Sequence, residues 1–190
     1  GHGIVHAEAP TKEFVKKGGT LEGIQLWLNL PAKDKLMPPN YQHLEAVQIP
    51  KIFSEDQKVQ LNVIAGNQKD QTGLIKTQTT VNVFTAEAQE NGMLDVDIPQ
   101  NHQSLIYVLE GTVLVNDTKV LKKGENQMIV FNQDGNSIHF KAKTTSTILI
   151  LSGEPILEKV TQYGPYVMNT QTEILEAMRD YQQGKMGYLY

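Results

Sequence analysis

The sequence predicts an all-β protein built around one barrel, and three observations predict it. Between Val59 and Leu151, short apolar or β-branched runs recur at close intervals, several of them alternating apolar with polar residues. Turn residues separate these runs: Gly66-Asn67, Glu110-Gly111, Asn116-Asp117, Gly124 and Gly135. A helical repeat is confined to one stretch near the C-terminus.

The elements follow in order. Gly1 to Pro10 reads as a strand, and His6 and Glu8 then share a face, because side chains two residues apart along a strand point the same way. An imidazole and a carboxylate so placed can meet one metal ion, and iron in particular takes mixed nitrogen and oxygen donors. The alternative is a solvated polar strand end. His2 has the same parity, but Gly1 and Gly3 loosen a strand there, so it reads as a frayed terminal residue.

Gly18-Gly19 breaks the chain after a short polar link. Leu21 to Leu30 reads as a second strand, with Ile24, Leu26, Leu28 and Leu30 on one face and Gly23, Gln25, Trp27 and Asn29 on the other. Trp27, the only tryptophan, reads as core filler, with a pocket wall as the alternative. Pro31, Pro38, Pro39 and Pro50 make the next stretch irregular, since proline lacks an amide hydrogen and fixes its own backbone.

The barrel strands come next. Val59–Ala65 and Thr79–Phe84 are β-branched or alternating, and Leu94, Val96 and Ile98 alternate with Asp95 and Asp97 until Pro99. Leu105–Leu109 turns through Glu110-Gly111 into Thr112–Val115, and Asn116-Asp117 sends the chain back towards Val120. Met128–Phe131, Ile138–Lys141 and Thr147–Leu151 complete the set. Beyond it, Thr170 and Glu173 stand at capping-box spacing, Ile174, Leu175, Met178 and Tyr181 form an apolar stripe, and Gly184 is a stop signal. This predicts one amphipathic helix packing on the barrel.

Composition narrows the function. The 190 residues are 39% hydrophobic and 20% charged, as in ordinary globular proteins. A net charge of -4, with Lys16-Lys17 and Lys122-Lys123 as isolated pairs, argues against a nucleic-acid surface. The absence of cysteine excludes disulfides, zinc-thiolate sites and a thiol nucleophile, and fits a reducing, cytoplasmic setting. Ile148–Leu151 is too short to cross a bilayer, and the start has no basic-then-apolar signal segment.

Several blocks together resemble the pirin family of two-barrel cupins. They are Gly3-Ile4-Val5-His6-Ala7-Glu8 with Pro10, Gly23-Ile24-Gln25-Leu26-Trp27-Leu28-Asn29-Leu30-Pro31, Met37-Pro38-Pro39 with Tyr41-Gln42, Ser152-Gly153-Glu154-Pro155, and Tyr163-Gly164-Pro165-Tyr166-Val167-Met168-Asn169-Thr170. The resemblance implies that residues 1–50 are a remnant of an N-terminal cupin domain and its crossover, 51–155 the C-terminal cupin barrel, and 156–190 a C-terminal segment with a helix. Pirins hold one metal in the N-terminal barrel with three histidines and one glutamate. His6 and Glu8 match the later two ligands, whereas the earlier two belong to an H-P-H-R-G segment that has no counterpart here. The five histidines, His2, His6, His43, His102 and His139, include no H-x-H pair. The chain thus reads as a pirin without its first half-barrel, and the lack of an initiator Met fits a truncated or proteolysed chain.

In a metal-binding cupin barrel the H-x-H positions before the Glu110-Gly111 turn would be Asp97 and Pro99, neither a histidine. His139, near the second motif, reads as a satisfied or exposed histidine, and His102 as a turn residue. The resemblance therefore implies a structural second barrel. It also implies a quercetin 2,3-dioxygenase-like oxidoreductase using Fe²⁺ or another divalent metal and a flavonol-like small molecule, with His6 as a ligand and Glu8 as a ligand that doubles as a base. With half of the ligand set, this chain is expected to bind metal weakly and to turn over little. The alternative is a non-enzymatic regulatory binding protein for a transcription factor or metabolic enzyme. Unpaired strand edges around Ile4 and Leu26 predict a homo-oligomer.

Overall fold

The computed structural model describes residues 1–189. They cluster into two compact units: residues 42–155, and residues 1–41 together with 156–189. Each is described by itself.

The unit of residues 42–155 is the barrel. After a 3₁₀ turn at Ala46–Gln48 its strands run β1 (Lys51–Phe53), β2 (Val59–Ala65), a short hairpin of β3 (Asn67–Gln68) and β4 (Gln71–Thr72), β5 (Val81–Ala88), β6 (Met93–Asp97), β7 (Gln103–Glu110), β8 (Thr112–Val115), β9 (Lys119–Lys122), β10 (Met128–Val130), β11 (Ser137–Ala142) and β12 (Ser146–Gly153). They form a six-stranded sheet in the order β1-β2-β5-β12-β7-β10 and a four-stranded sheet in the order β6-β11-β8-β9. The ladders within these two sheets are antiparallel.

Alternation along each strand decides what lies inside. In β2 the side chains of Val59, Leu61 and Val63 point inward while Gln60 and Asn62 stay partly exposed, and β6 and β11 repeat the pattern with Leu94, Val96, Ile138 and Phe140. Burying such side chains is worth about 1.5–3 kcal/mol each, which makes this interior the main source of the unit's stability. Asn116 and Asp117, at φ 46° and 53°, form the tight connection of the β8–β9 hairpin. Positive φ at both central residues matches the twist of the two strands, and Asn and Asp tolerate it best after glycine.

The other unit holds α1 (Lys12–Lys17), the single turn α2 (Ala32–Lys35), a hairpin of β13 (Thr161–Tyr163) and β14 (Tyr166–Met168), and α3 (Gln171–Gln182). Two expectations are corrected here. Neither residues 1–10 nor 21–30 form a strand, because no strand among the described residues offers them a ladder. The first segment is held instead by His2 N–H donating to the Met37 carbonyl at 2.8 Å and Val5 N–H donating to that of Met186 at 2.9 Å. The short polar link is in part the helix α1, capped by Thr11, whose hydroxyl accepts from Phe14 N–H.

Helix α3 begins as the capping box requires: Thr170 Oγ1 accepts from Glu173 N–H at 3.3 Å, and Glu173 Oε2 accepts from Thr170 N–H at 2.7 Å. Within its own unit it packs on the β13–β14 hairpin. Ile174 is its buried anchor, while Leu175 and Tyr181 of the expected stripe are exposed. Replacing Thr170 by Ala leaves the Glu173 amide without its side-chain acceptor, and a loss of about 1 kcal/mol is expected in a urea melt followed by circular dichroism.

Candidate functional site

The candidate site is an open cleft of about 1100 Å³ whose walls all come from the unit of residues 1–41 and 156–189. One wall is the opening segment with His2, Ile4 and His6, a second is Gln25–Leu30, and a third is the β13–β14 hairpin with the α3 face that carries Glu173, Glu176 and Asp180. The lining is mixed: apolar side chains such as Leu26, Leu28 and Val167 stand beside Tyr166 and Tyr181 and a few charges. That is the composition of a small-molecule cleft, where apolar surface supplies affinity and a few polar groups set orientation.

His6 lines this cleft and Glu8 does not. Both are exposed, and among the described residues neither side chain makes a hydrogen bond or ion pair. Because residues 1–10 are irregular, strand alternation does not place the two on a common face. Trp27 is 62% exposed and lines the cleft, so the pocket-wall reading replaces the core-filler one. Without a strand ladder, residues 21–30 show side chains of both parities to solvent, Ile24 and Leu28 as well as Trp27.

Lys35 is a site residue that sequence reasoning missed. It is 6% exposed, lines the cleft and donates from Nζ to Asn29 Oδ1 at 2.6 Å. Burial pushes its ammonium below the usual lysine range, and the carboxylates of Glu158 and Glu173 pull it part of the way back. Glu158 also accepts from Ala32 N–H at 2.7 Å and from Asn169 Nδ2 at 3.1 Å, so this group of charges ties the 29–35 segment to the start of α3. The K-x-x-x-P spacing of Lys35 and Pro39 resembles a solvated loop, and nothing in it announces burial.

The barrel unit offers no comparable chemistry inside. Its inward positions carry Leu61, Phe84, Ile106, Phe140 and their neighbours, with Gln68, Asn82, Ser104, Ser146 and Ser152 as buried polar exceptions and no inward histidine or carboxylate on the strands. His139 is satisfied at the surface, its Nδ1 2.9 Å from Asp95 Oδ1. His102 closes the expected turn, its N–H donating to the Pro99 carbonyl at 2.9 Å, and it is also buried, 3% exposed, with Nδ1 3.0 Å from Ser152 Oγ. Burial lowers its pKa below the ordinary histidine value, and Glu154 acts in the opposite sense.

The pirin C-terminal cupin domain matches residues 83–187. The chain belongs to the pirin family. A pirin-like protein of Solanum lycopersicum is 33% identical over 99% of this chain and 62% of its own length. A Pseudomonas aeruginosa protein that carries the provisional name quercetin 2,3-dioxygenase is 36% identical over 96% of this chain and 63% of its own length. Among solved structures, a quercetin 2,3-dioxygenase from Acinetobacter baumannii superimposes with a TM-score of 0.80 at 35% identity, covering 86% of this chain and 56% of that one. This pirin chain therefore spans less than two thirds of the length of the curated relatives it matches. It has a cupin fold, as the resemblance implied.

The metal that the resemblance implies does not fit the residues present. Among the described residues no three or more His, Cys, Asp or Glu side chains gather closely enough to hold an ion. His6 and Glu8 are at most two donors, short of the four to six that divalent ions take. Among the described residues no helix of this pirin is long and apolar enough to cross a membrane.

Proposed function

We propose that this chain is the larger part of a metal-dependent, quercetin 2,3-dioxygenase-like oxidoreductase, with His6 and Glu8 supplying two of the metal donors and residues outside the described chain the rest. The observation that carries the reading is His6, exposed and without a partner among the described residues, on the wall of a cleft that also presents Trp27 and two tyrosines. Aromatic walls favour a flat, flavonol-like ligand by offset stacking. In the complete site Glu8 would act as base towards a substrate hydroxyl.

As it stands the chain has too few donors for tight metal binding. Elemental analysis after incubation with Fe²⁺, Mn²⁺ or Co²⁺ and desalting is expected to find well under one ion per chain. Quercetin absorbance is expected to stay constant with each metal. Stoichiometric iron that His6→Ala abolishes would show that the sphere is complete after all. The cleft reading is tested separately by fluorescence, since Trp27 is the sole tryptophan. Saturable quenching by quercetin is expected, and its absence at concentrations up to solubility rejects a flavonol site.

A second reading, a regulatory protein-binding role, is favoured by the exposed apolar side chains of Leu21, Ile24, Leu26 and Leu28 beside Trp27. Single exposed apolar residues are ordinary, but a run of them, of which Leu26, Trp27 and Leu28 line the cleft, marks a contact surface. Failure of quercetin to quench Trp27 would shift the balance towards this role.

A further inference from the structure

The barrel unit contains a buried polar chain that the proposed activity does not use. Asn82 on β5 and Ser152 on β12 are register partners, and Asn82 Nδ2 donates to Ser152 Oγ at 3.0 Å. The other end of the same amide, Oδ1, accepts from Asn67 N–H at 3.1 Å, just where Gly66 leaves β2 and the β3–β4 hairpin begins. On its far side Ser152 Oγ lies 3.0 Å from His102 Nδ1. Asn82 is 4% and Ser152 5% exposed, so water does not stand in for a lost partner. The corner is packed tightly on this chain: a Cβ at Gly66, whose φ is +84°, would lie 2.0 Å from Asn82 Oδ1.

The proton count follows from these contacts. Ser152 has one proton, and its oxygen already accepts from Asn82. A neutral imidazole with its hydrogen on Nε2 takes that proton at Nδ1, and this is the tautomer on which the inference rests. A protonated His102 carries hydrogen on both nitrogens, so Nδ1 no longer accepts. Ser152 Oγ has lone pairs for both the Asn82 and the His102 N–H, but its own proton then loses His102 as acceptor, and a charge is enclosed. The polar neighbours on β5 and β12 are neutral, and the charged group whose field reaches the ring is Glu154.

We propose that the Asn82–Ser152–His102 chain is a pH-operated fastener that holds the Gly66–Asn67 corner to the sheet while His102 is neutral and releases it on protonation. The sign is fixed by burial. Because the folded-state imidazole binds its proton less readily than an open one, the fastening is complete above about pH 6.5 and fades as pH falls towards the lower folded-state value. Acidification therefore loosens this corner before it touches the apolar interior.

Nuclear magnetic resonance on the intact chain tests this, with the His102 ring titration and amide hydrogen exchange recorded in parallel. Protection of the Asn67 amide, corrected for intrinsic exchange, is expected to fall at least tenfold from pH 7 to pH 5, with its midpoint at the His102 titration, while Val63 and Phe84 amides keep theirs. His102→Gln is expected to flatten the pH dependence. Glu154→Gln leaves the core intact and is expected to move the midpoint to lower pH. A His102 titration that leaves Asn67 protection unchanged overturns the proposal. So does a pH dependence that survives in His102→Gln, or a midpoint that Glu154→Gln does not lower.

Discussion

Replacing Phe84 by Ala is expected to lower the unfolding free energy of the barrel unit by about 3–5 kcal/mol, read as a shift in the urea midpoint with an unchanged slope. Phe84 is fully buried on β5 and faces its register partners Val63 on β2 and Ile150 on β12, both also fully buried. Three strands of the six-stranded sheet close around this ring, and their pairing leaves the backbone little freedom to collapse into the space it vacates. The cost therefore contains both the lost transfer of the ring and the cavity left behind. Val47→Ala, in the same unit, is the control. At 82% exposed, Val47 gives up little buried surface, and its change is expected to stay within about 0.5 kcal/mol. Equal effects from the two substitutions would mean that the inward row of β5 does not carry the barrel's stability.

Gly111→Ala is expected to cost about 3 kcal/mol or more. Gly111 joins β7 to β8 at φ +81°, a conformation that strains a side-chain-bearing residue by about 1–3 kcal/mol. A Cβ there would also lie 2.3 Å from both the Thr145 carbonyl oxygen and Ser146 Oγ. The second clash matters because Ser146 Oγ accepts from Thr112 N–H at 3.1 Å and donates to the Thr144 carbonyl at 2.7 Å. Displacing it parts the buried Ser146 hydroxyl from these partners, at about 1–3 kcal/mol. Gly135→Ala serves as comparison, since its φ lies outside the left-handed region and nothing stands within 4 Å of a Cβ there. It is expected to be neutral or slightly stabilising. If thermal melts place the two variants together, the close approach at Gly111 is not what shapes this turn.

Much of the barrel was legible because its information is local. Val59–Ala65 and Leu94–Ile98 declare their inward faces by alternation, and Asn116-Asp117 declares its hairpin by the residue types that accept positive φ. The start of α3 was equally plain, since a capping box involves residues only three apart. The β13–β14 hairpin was not read from its pattern, although Tyr163-Gly164-Pro165-Tyr166 holds its turn. Its strands are three residues long, too short for alternation to show.

The candidate site was legible by resemblance rather than by pattern. His6 and Glu8 were singled out from a motif, and the strand that was to align them is absent because a strand requires a neighbour to pair with. The turn at His102 was legible, and its N–H does bond back to the Pro99 carbonyl. Its burial was not, because only the approach of Ser152, 50 residues later, encloses the ring.

From its sequence alone this protein had a fold class, a set of strands with their inward faces, a helix with its cap, and a family. Those follow from short-range rules in which a residue and its near neighbours settle backbone shape and face. Tertiary structure alone decided that β12 sits between β5 and β7, that Lys35 and His102 are buried, and that residues 21–30 lie open beside a cleft. Burial and pairing are set by segments far apart in the chain, and no window of neighbouring residues contains both halves of such a contact.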